Sequence, residues 1–130
     1  ILRLEGPVQG LFRETAEDIE LHGVAIPKGS VINVRYAAAN LDDTMFETPE
    51  KLNLERENSR QHLAFGFGTH YCMGAPLARR EILLSFKVLL ERIDEMWFLD
   101  GLNDFRHHPN FCLRALRELH IGFTRCKPSA

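Results

Sequence analysis

The sequence predicts an α+β fold, because short strand-like segments flank one long segment with helical periodicity. β-branched residues are concentrated at positions 31–34, which is typical of a strand. Apolar residues recur at steps of three or four in a later segment, as on one face of a helix, at Ala78, Ile82, Phe86, Leu89 and Ile93. With 130 residues, 45% hydrophobic and 26% charged, the chain falls in the range of one globular domain.

The first third of the chain predicts a small antiparallel sheet. Residues 18–22 and 30–36 form two candidate strands that bracket a turn at 26–29. Residues 37–40 could add one helical turn. From 42 to 62, polar residues and unpatterned charges predict an ordered coil, and a coil of this length inside a domain is more often functional than accidental.

A helix of about five turns is predicted to follow Gly74. Pro76 suits its first turn, where a missing N–H costs little. Beyond the helix, residues 96–98 and 119–123 predict two further short strands. The predicted fold is thus one long helix with small antiparallel sheets on either side of it in sequence.

Charge and composition exclude several classes of function. A net charge of -2 provides no general field for nucleic acid or an anionic membrane surface. No run of about 18 apolar residues is present, so no membrane span is predicted. Three cysteines without a C-x-x-C pair favour a reducing cytoplasm over a disulfide scaffold. The start, Ile-Leu-Arg-Leu, reads as the middle of a longer chain rather than a signal peptide.

The glycine-rich loop at 65–74 delivers Cys72 to the start of the predicted helix. Unpaired N–H groups and the positive end of the helix dipole favour a thiolate there. The loop glycines permit left-handed backbone angles and close approach of a flat, bulky group. Two phenylalanines offer that group apolar cover, and His70 would be placed to donate to a carboxylate at its rim.

Three interpretations of this loop compete. Cys72 could be a structural cysteine in a glycine turn. It could bind zinc with His70, which needs further ligands such as His107, His108 and Cys112. It could also be a single axial thiolate to haem iron, which uses every unusual feature of the segment together.

The pattern F-G-x-G-x-H-x-C-x-G, followed by Ala75, Leu77, Ala78, Arg79 and Glu81, closely resembles the haem-binding signature of the cytochromes P-450. Similarity to the soluble bacterial branch of that family extends over essentially all of residues 1–130. The resemblance implies the C-terminal segment of the mainly α cytochrome P-450 fold, an incomplete haem-binding monooxygenase domain whose N-terminal two-thirds lie outside this chain.

The resemblance also implies a role for individual residues at the haem. Cys72 would be the iron ligand, and His70 and Arg13 would bind the haem propionates. Phe65 and Gly66 would pack over the cysteine and porphyrin. The full set of implied haem-binding residues is Arg13, Phe65, Gly66, His70, Cys72, Gly74 and Ala78.

Other residues would line the pocket or support the loop. Val8, Phe111 and Cys112 would face the substrate. Arg3 resembles the arginine of the family's E-x-x-R pair, whose glutamate would precede Ile1, and Arg56 would join the same polar network. Leu41 stands where the family commonly has an arginine, which removes one expected ion pair.

The function implied is a bacterial, cytoplasmic haem-thiolate monooxygenase that inserts one oxygen atom of O2 into a small organic substrate. Electrons would come from NAD(P)H through a ferredoxin that docks on Arg79, Arg80 and Lys87. No nucleic-acid or membrane partner is expected. The chain alone is expected to be inactive and to self-associate through an apolar face. A remnant without haem and a zinc-binding module are the alternatives.

Overall fold

The computed structural model describes residues 1–126. They form two compact units. The first consists of Ile1–Gly68 with Pro109–Arg114, and the second of Thr69–His108 with the chain from Ala115 onward. Small antiparallel sheets and one long helix account for the regular structure, as predicted.

The first unit contains two separate two-stranded antiparallel sheets. One pairs β1 (Leu11–Glu14) with β4 (Val31–Val34), and the other pairs β2 (Ile19–Leu21) with β3 (Val24–Ile26). The predicted strands at 18–22 and 30–36 therefore exist but do not belong to one sheet, so the predicted sheet was wrong in its arrangement.

A tight turn at His22 and Gly23 explains the difference. Both residues have positive φ, 48° and 80°, which is the conformation of a two-residue hairpin turn. This turn therefore pairs β2 with β3, the strand that follows directly in sequence. The later strand β4 then pairs with β1, whose sequence Leu-Phe-Arg-Glu lacks the alternation that would have predicted it.

The rest of the first unit is mostly irregular. A single helical turn, α1 (Tyr36–Ala39), confirms the prediction for 37–40. Between 42 and 62 the chain forms turns and one short 3₁₀ turn, Ser59–Gln61, as expected of an ordered coil.

The second unit is built on α2 (Ala75–Arg92), an 18-residue helix with Pro76 in its first turn. The helix ends where Ile93 becomes extended and begins β5 (Ile93–Phe98), which pairs with β6 (Ile121–Arg125). Ile93 was therefore wrongly assigned to the helix face.

The last strand begins two residues later than predicted. The side chain of Asn103 accepts a hydrogen bond from the N–H of His120 at 2.7 Å and donates to its carbonyl at 2.8 Å. These bonds hold His120 at the end of the loop, so regular pairing begins at Ile121.

Little apolar surface is buried. Among residues 1–126, the buried apolar side chains are Phe46, Ala64 and Ala75. On the predicted apolar face of α2, Ile82 and Phe86 remain 43% and 57% exposed. Of the helices that the structure describes, none has the length and apolar character needed to cross a membrane.

Candidate functional site

Cys72 lies two residues before Gly74, the N-cap of α2. Its thiol is free and exposed. The carbonyl of Cys72 accepts a hydrogen bond from the N–H of Ala75 at 3.2 Å, and the carbonyl of Gly74 accepts one from Ala78 at 2.8 Å. These bonds turn the chain into the helix, so Cys72 lies directly before the helix start, as the sequence predicted.

Gly74 keeps space free beside the sulfur. A Cβ added at Gly74 would lie 3.7 Å from the Sγ of Cys72, in van der Waals contact. At Gly68, earlier in the loop, an added Cβ would meet no atom within 4 Å, but a φ of +70° favours glycine there. An exposed thiol with an unfilled neighbouring position fits a bulky group that takes one protein ligand.

The other haem-binding candidates of the second unit also belong to this helix start. His70 ends the short 3₁₀ turn Gly68–His70, and its side chain is exposed. Ala78 lies in the first turns of α2 and is half-buried. The structure thus places His70, Cys72, Gly74 and Ala78 along one continuous stretch of backbone.

Arg13, Phe65 and Gly66 belong to the first unit. Gly66 is buried with φ of +73°, and its N–H donates to the carbonyl of Leu63 at 2.9 Å. The ring of Phe65 lies 6.0 Å from that of His62. Arg13 is exposed on β1 and donates to the carbonyl of Phe12 at 2.9 Å. The seven candidates are therefore divided between the two units.

All three substrate-pocket candidates belong to the first unit. Val8 forms an isolated antiparallel bridge with Leu113. The next residue, Gln9, donates its N–H to the carbonyl of Cys112 at 2.6 Å. Phe111 is adjacent in sequence, but its side chain is 82% exposed. The backbone segments that carry Val8 and Cys112 are therefore paired, through Val8 with Leu113 and through Gln9 with Cys112.

Arg3 is the central anchor of the first unit. The residue is 7% exposed, and its guanidinium donates to the carbonyls of Asn40 and Pro49, each at 2.6 Å. It also lies 4.8 Å from the centroid of the Phe46 ring, within the range of a cation–π contact. Burial, and then the nearby positive charge of Arg56, lower the pKa of Arg3.

Arg56 forms a hydrogen bond beside the residues held by Arg3, whereas Leu41 lines a groove. Arg56 is half-buried and donates to the carbonyl of Thr48 at 3.2 Å, next to the Pro49 that Arg3 holds. Leu41 is 43% exposed and borders an open groove of about 490 Å³ with Ile1, Leu4 and Leu52 among its lining residues. Glu5, Glu50 and Arg114 also line this groove, so an apolar side chain at position 41 lies among both apolar and charged residues.

Asn40 is a structural residue that the sequence did not single out. It is 2% exposed and has three hydrogen-bonded groups. Its carbonyl accepts from Arg3, its Oδ1 accepts the N–H of Leu63 at 2.6 Å, and its own N–H donates to Tyr36 at 2.9 Å. The available signal was an asparagine directly after a helix-forming alanine run, which is typical of a helix end.

The zinc alternative receives no support from the side-chain arrangement. Across residues 1–126, no group of three or more histidine, cysteine, aspartate or glutamate side chains could hold a metal ion. Structural zinc takes four ligands, whereas haem iron can take one thiolate from the protein. The single exposed thiol of Cys72 fits haem iron, which needs one thiolate, better than structural zinc, which needs four ligands.

Comparisons with known proteins identify relatives over nearly the whole chain. The family model for cytochrome P-450 matches residues 1–95. Cytochrome P-450 CYP107DY1 of Priestia megaterium is 40% identical over 123 residues, and the polyketide biosynthesis cytochrome P-450 PksS of Bacillus subtilis is 37% identical over 126 residues. These matches cover 95% and 96% of this chain, respectively.

Solved structures give the same result. Substrate-free CYP150A6, a cytochrome P-450 of Mycobacterium marinum, superposes with a TM-score of 0.92 at 35% identity and covers 97% of this chain. The chain covers 32% of that structure and 30% and 31% of the two curated relatives. It therefore spans about a third of the length of the proteins it matches.

Proposed function

The chain belongs to the cytochrome P-450 family, and from that premise we propose that it is the C-terminal, iron-ligating part of a haem-thiolate monooxygenase. Members of the family bind haem. The proposed reaction inserts one oxygen atom of O2 into a small organic substrate, in a bacterial cytoplasm. The observation that carries the proposal is the exposed Cys72 thiol just before the start of α2, beside Gly74, which has no side chain.

In this proposal Cys72 is the proximal ligand. Bound haem would supply oxygen activation, and a thiolate ligand donates electron density to the iron. The chain's own contribution is to hold the sulfur in place on a helix start whose backbone is already hydrogen-bonded. Gly74 leaves room beside the sulfur because it has no Cβ.

The remaining candidates would orient the haem and substrate. His70 and Arg13 would donate to the haem propionates, and both side chains are exposed and thus open to such a ligand. Phe65, Gly66 and Ala78 would contact the porphyrin. Val8 and Cys112, which lie on paired backbone segments, would form part of the substrate wall with Phe111.

A parallel titration with haem and with Zn²⁺ tests the proposed function. Since one thiolate suffices for haem iron, we expect the chain to bind one equivalent of haem and to show a thiolate-type band when reduced under carbon monoxide. Zinc at one equivalent should bind weakly, because no three-ligand group exists in the described residues. Tight zinc binding without a thiolate-type haem complex would overturn the proposal, and binding of neither would favour the remnant without haem.

We further propose that an acidic ferredoxin delivers electrons at the basic surface of α2. Arg79, Arg80 and Lys87 all lie on this helix and are exposed. Arg80 and Lys87 are separated by two turns and therefore share one side of the helix. NAD(P)H would act only indirectly, through the reductase of the ferredoxin.

Charge reversal on α2 tests this docking surface. In the haem-loaded chain, Arg79→Glu with Arg80→Glu should slow reduction by a bacterial iron–sulfur ferredoxin about tenfold at low salt, because surface charges act mainly on the rate of encounter. The salt dependence should become flatter. The matched control is Lys28→Glu with Lys51→Glu, which changes the net charge equally on exposed residues of the first unit. Equal slowing in both double variants would remove the docking role.

A further inference from the structure

We infer that Asn40 is a positioning residue for the loop that carries Cys72. Its backbone carbonyl accepts a hydrogen bond from the buried Arg3 anchor, and its side chain accepts one from the turn from which this loop departs. The inference rests on the proposed function for its consequence at the haem. The hydrogen bonds on which it depends lie entirely within the first unit and exist without haem.

The backbone carbonyl, the backbone N–H and the side-chain Oδ1 of Asn40 each form a hydrogen bond. The carbonyl is held by Arg3 and the N–H by Tyr36, so the peptide groups on both sides of the residue are fixed. With the residue 2% exposed, its Oδ1 accepts the N–H of Leu63 at 2.6 Å, across 23 positions of the chain. Because the Asn40 side chain is buried, leaving its oxygen without this partner would be costly.

The partner of Asn40 is the first residue of a tight turn. The carbonyl of Leu63 accepts the N–H of Gly66 at 2.9 Å, and Gly66 has a φ of +73°. Ala64, inside the turn, is buried and lies against Gly6, where an added Cβ would come within 3.3 Å of the Ala64 Cβ. The turn is thus fixed by a hydrogen bond from one segment and by close packing from another.

The loop leaves the turn at Gly66 and reaches Cys72 six residues later. Gly66 and Gly68 both have positive φ, +73° and +70°, so the direction of this short stretch is set by two residues in the left-handed region. A fixed departure point restricts where the loop can go. Asn40 therefore acts on the thiolate through the turn, without touching haem or substrate, by limiting the conformations of the loop.

The first test uses the haem-free chain and amide hydrogen exchange. Asn40→Ala should accelerate exchange of the Leu63 and Gly66 amides by about tenfold beyond the change in global stability, because one buried acceptor is lost. The matched control is Asn58→Ala, since the Nδ2 of Asn58 donates to the carbonyl of Met45 at 2.6 Å in the same unit. This control should leave the relative protection of Leu63 and Gly66 unchanged.

The second test uses the haem-loaded chain. Asn40→Ala should lower the thiolate-type fraction of the reduced carbon-monoxide complex and raise the fraction without thiolate ligation. Asn40→Asp retains an oxygen acceptor at the same position and should restore both the spectrum and the protection of Leu63. Asn58→Ala should keep the wild-type spectrum.

The outcomes separate this inference from the proposed function. Unchanged exchange at Gly66 in Asn40→Ala, or equal spectral loss in Asn40→Ala and Asn58→Ala, overturns the positioning role. A wild-type chain with no thiolate spectrum overturns the proposed function but not the coupling seen by exchange. If Asn40→Ala does not fold, the denaturant dependence of exchange in the wild-type chain decides, because the amides of Asn40, Leu63 and Gly66 must then open together.

Discussion

Replacing Cys72 with serine is expected to abolish the thiolate-type spectrum of the reduced carbon-monoxide complex of the haem-loaded chain. A serine hydroxyl is not ionised at neutral pH and cannot replace the thiolate as an electron-donating ligand. Serine keeps the size of the side chain, and the Cys72 carbonyl that begins the helix is a backbone group. The fold should therefore survive while the ligand is lost.

The other two cysteines provide matched controls. Cys126 is an exposed free thiol of the second unit, like Cys72, and Cys112 is a half-buried thiol of the first unit. Cys126→Ser and Cys112→Ser should each keep the thiolate-type spectrum. If either abolished it while Cys72→Ser kept it, the ligand would be assigned to the wrong residue.

Replacing Arg3 with alanine is expected to cost about 3 to 5 kcal/mol of unfolding free energy, the range in which buried, charge-assisted hydrogen bonds are lost together. The substitution removes both donors from the buried carbonyls of Asn40 and Pro49 and uncovers the Phe46 ring. Denaturant unfolding of the chain measures the change.

Two further variants test the geometry of that anchor. Arg3→Lys keeps a charge but not the planar fork that reaches two carbonyls, so it should still lose a large part of the stability. Arg106→Ala is the control, because Arg106 is exposed and pairs with Asp104 only two residues away. A surface pair of this kind contributes little to stability, because solvent and salt screen it. Comparable losses for Arg3→Ala and Arg106→Ala would contradict the role of Arg3 as an anchor.

Features encoded by local sequence were predictable. The long helix follows from apolar spacing after Gly74, with Pro76 in its first turn, and the structure confirms it over Ala75–Arg92. The loop that presents Cys72 was likewise recognisable, because its glycines and its cysteine occur within ten residues. Both features are determined by interactions between residues close in sequence, so the local sequence pattern is enough to predict them.

Features that depend on distant partners were not predictable. The strand pairing was wrong because a turn with positive φ at His22 and Gly23 changed the partner of β2. The position of Asn40 after an alanine run indicated a helix end but not its bonds to Arg3 and Leu63, which are far away in sequence. The exposure of Ile82 and Phe86 could not be predicted either, because apolar periodicity identifies one face of a helix but not the residues that pack against it.

The most direct measurement is the reduced carbon-monoxide difference spectrum of the haem-loaded chain carrying Cys112→Ser and Cys126→Ser. Cys72 is then the only thiol in the protein. The account predicts a thiolate-type band of the same position and amplitude as in the wild-type chain. Loss of that band in this variant, with the band present in the wild type, would contradict the assignment of Cys72 as the iron ligand.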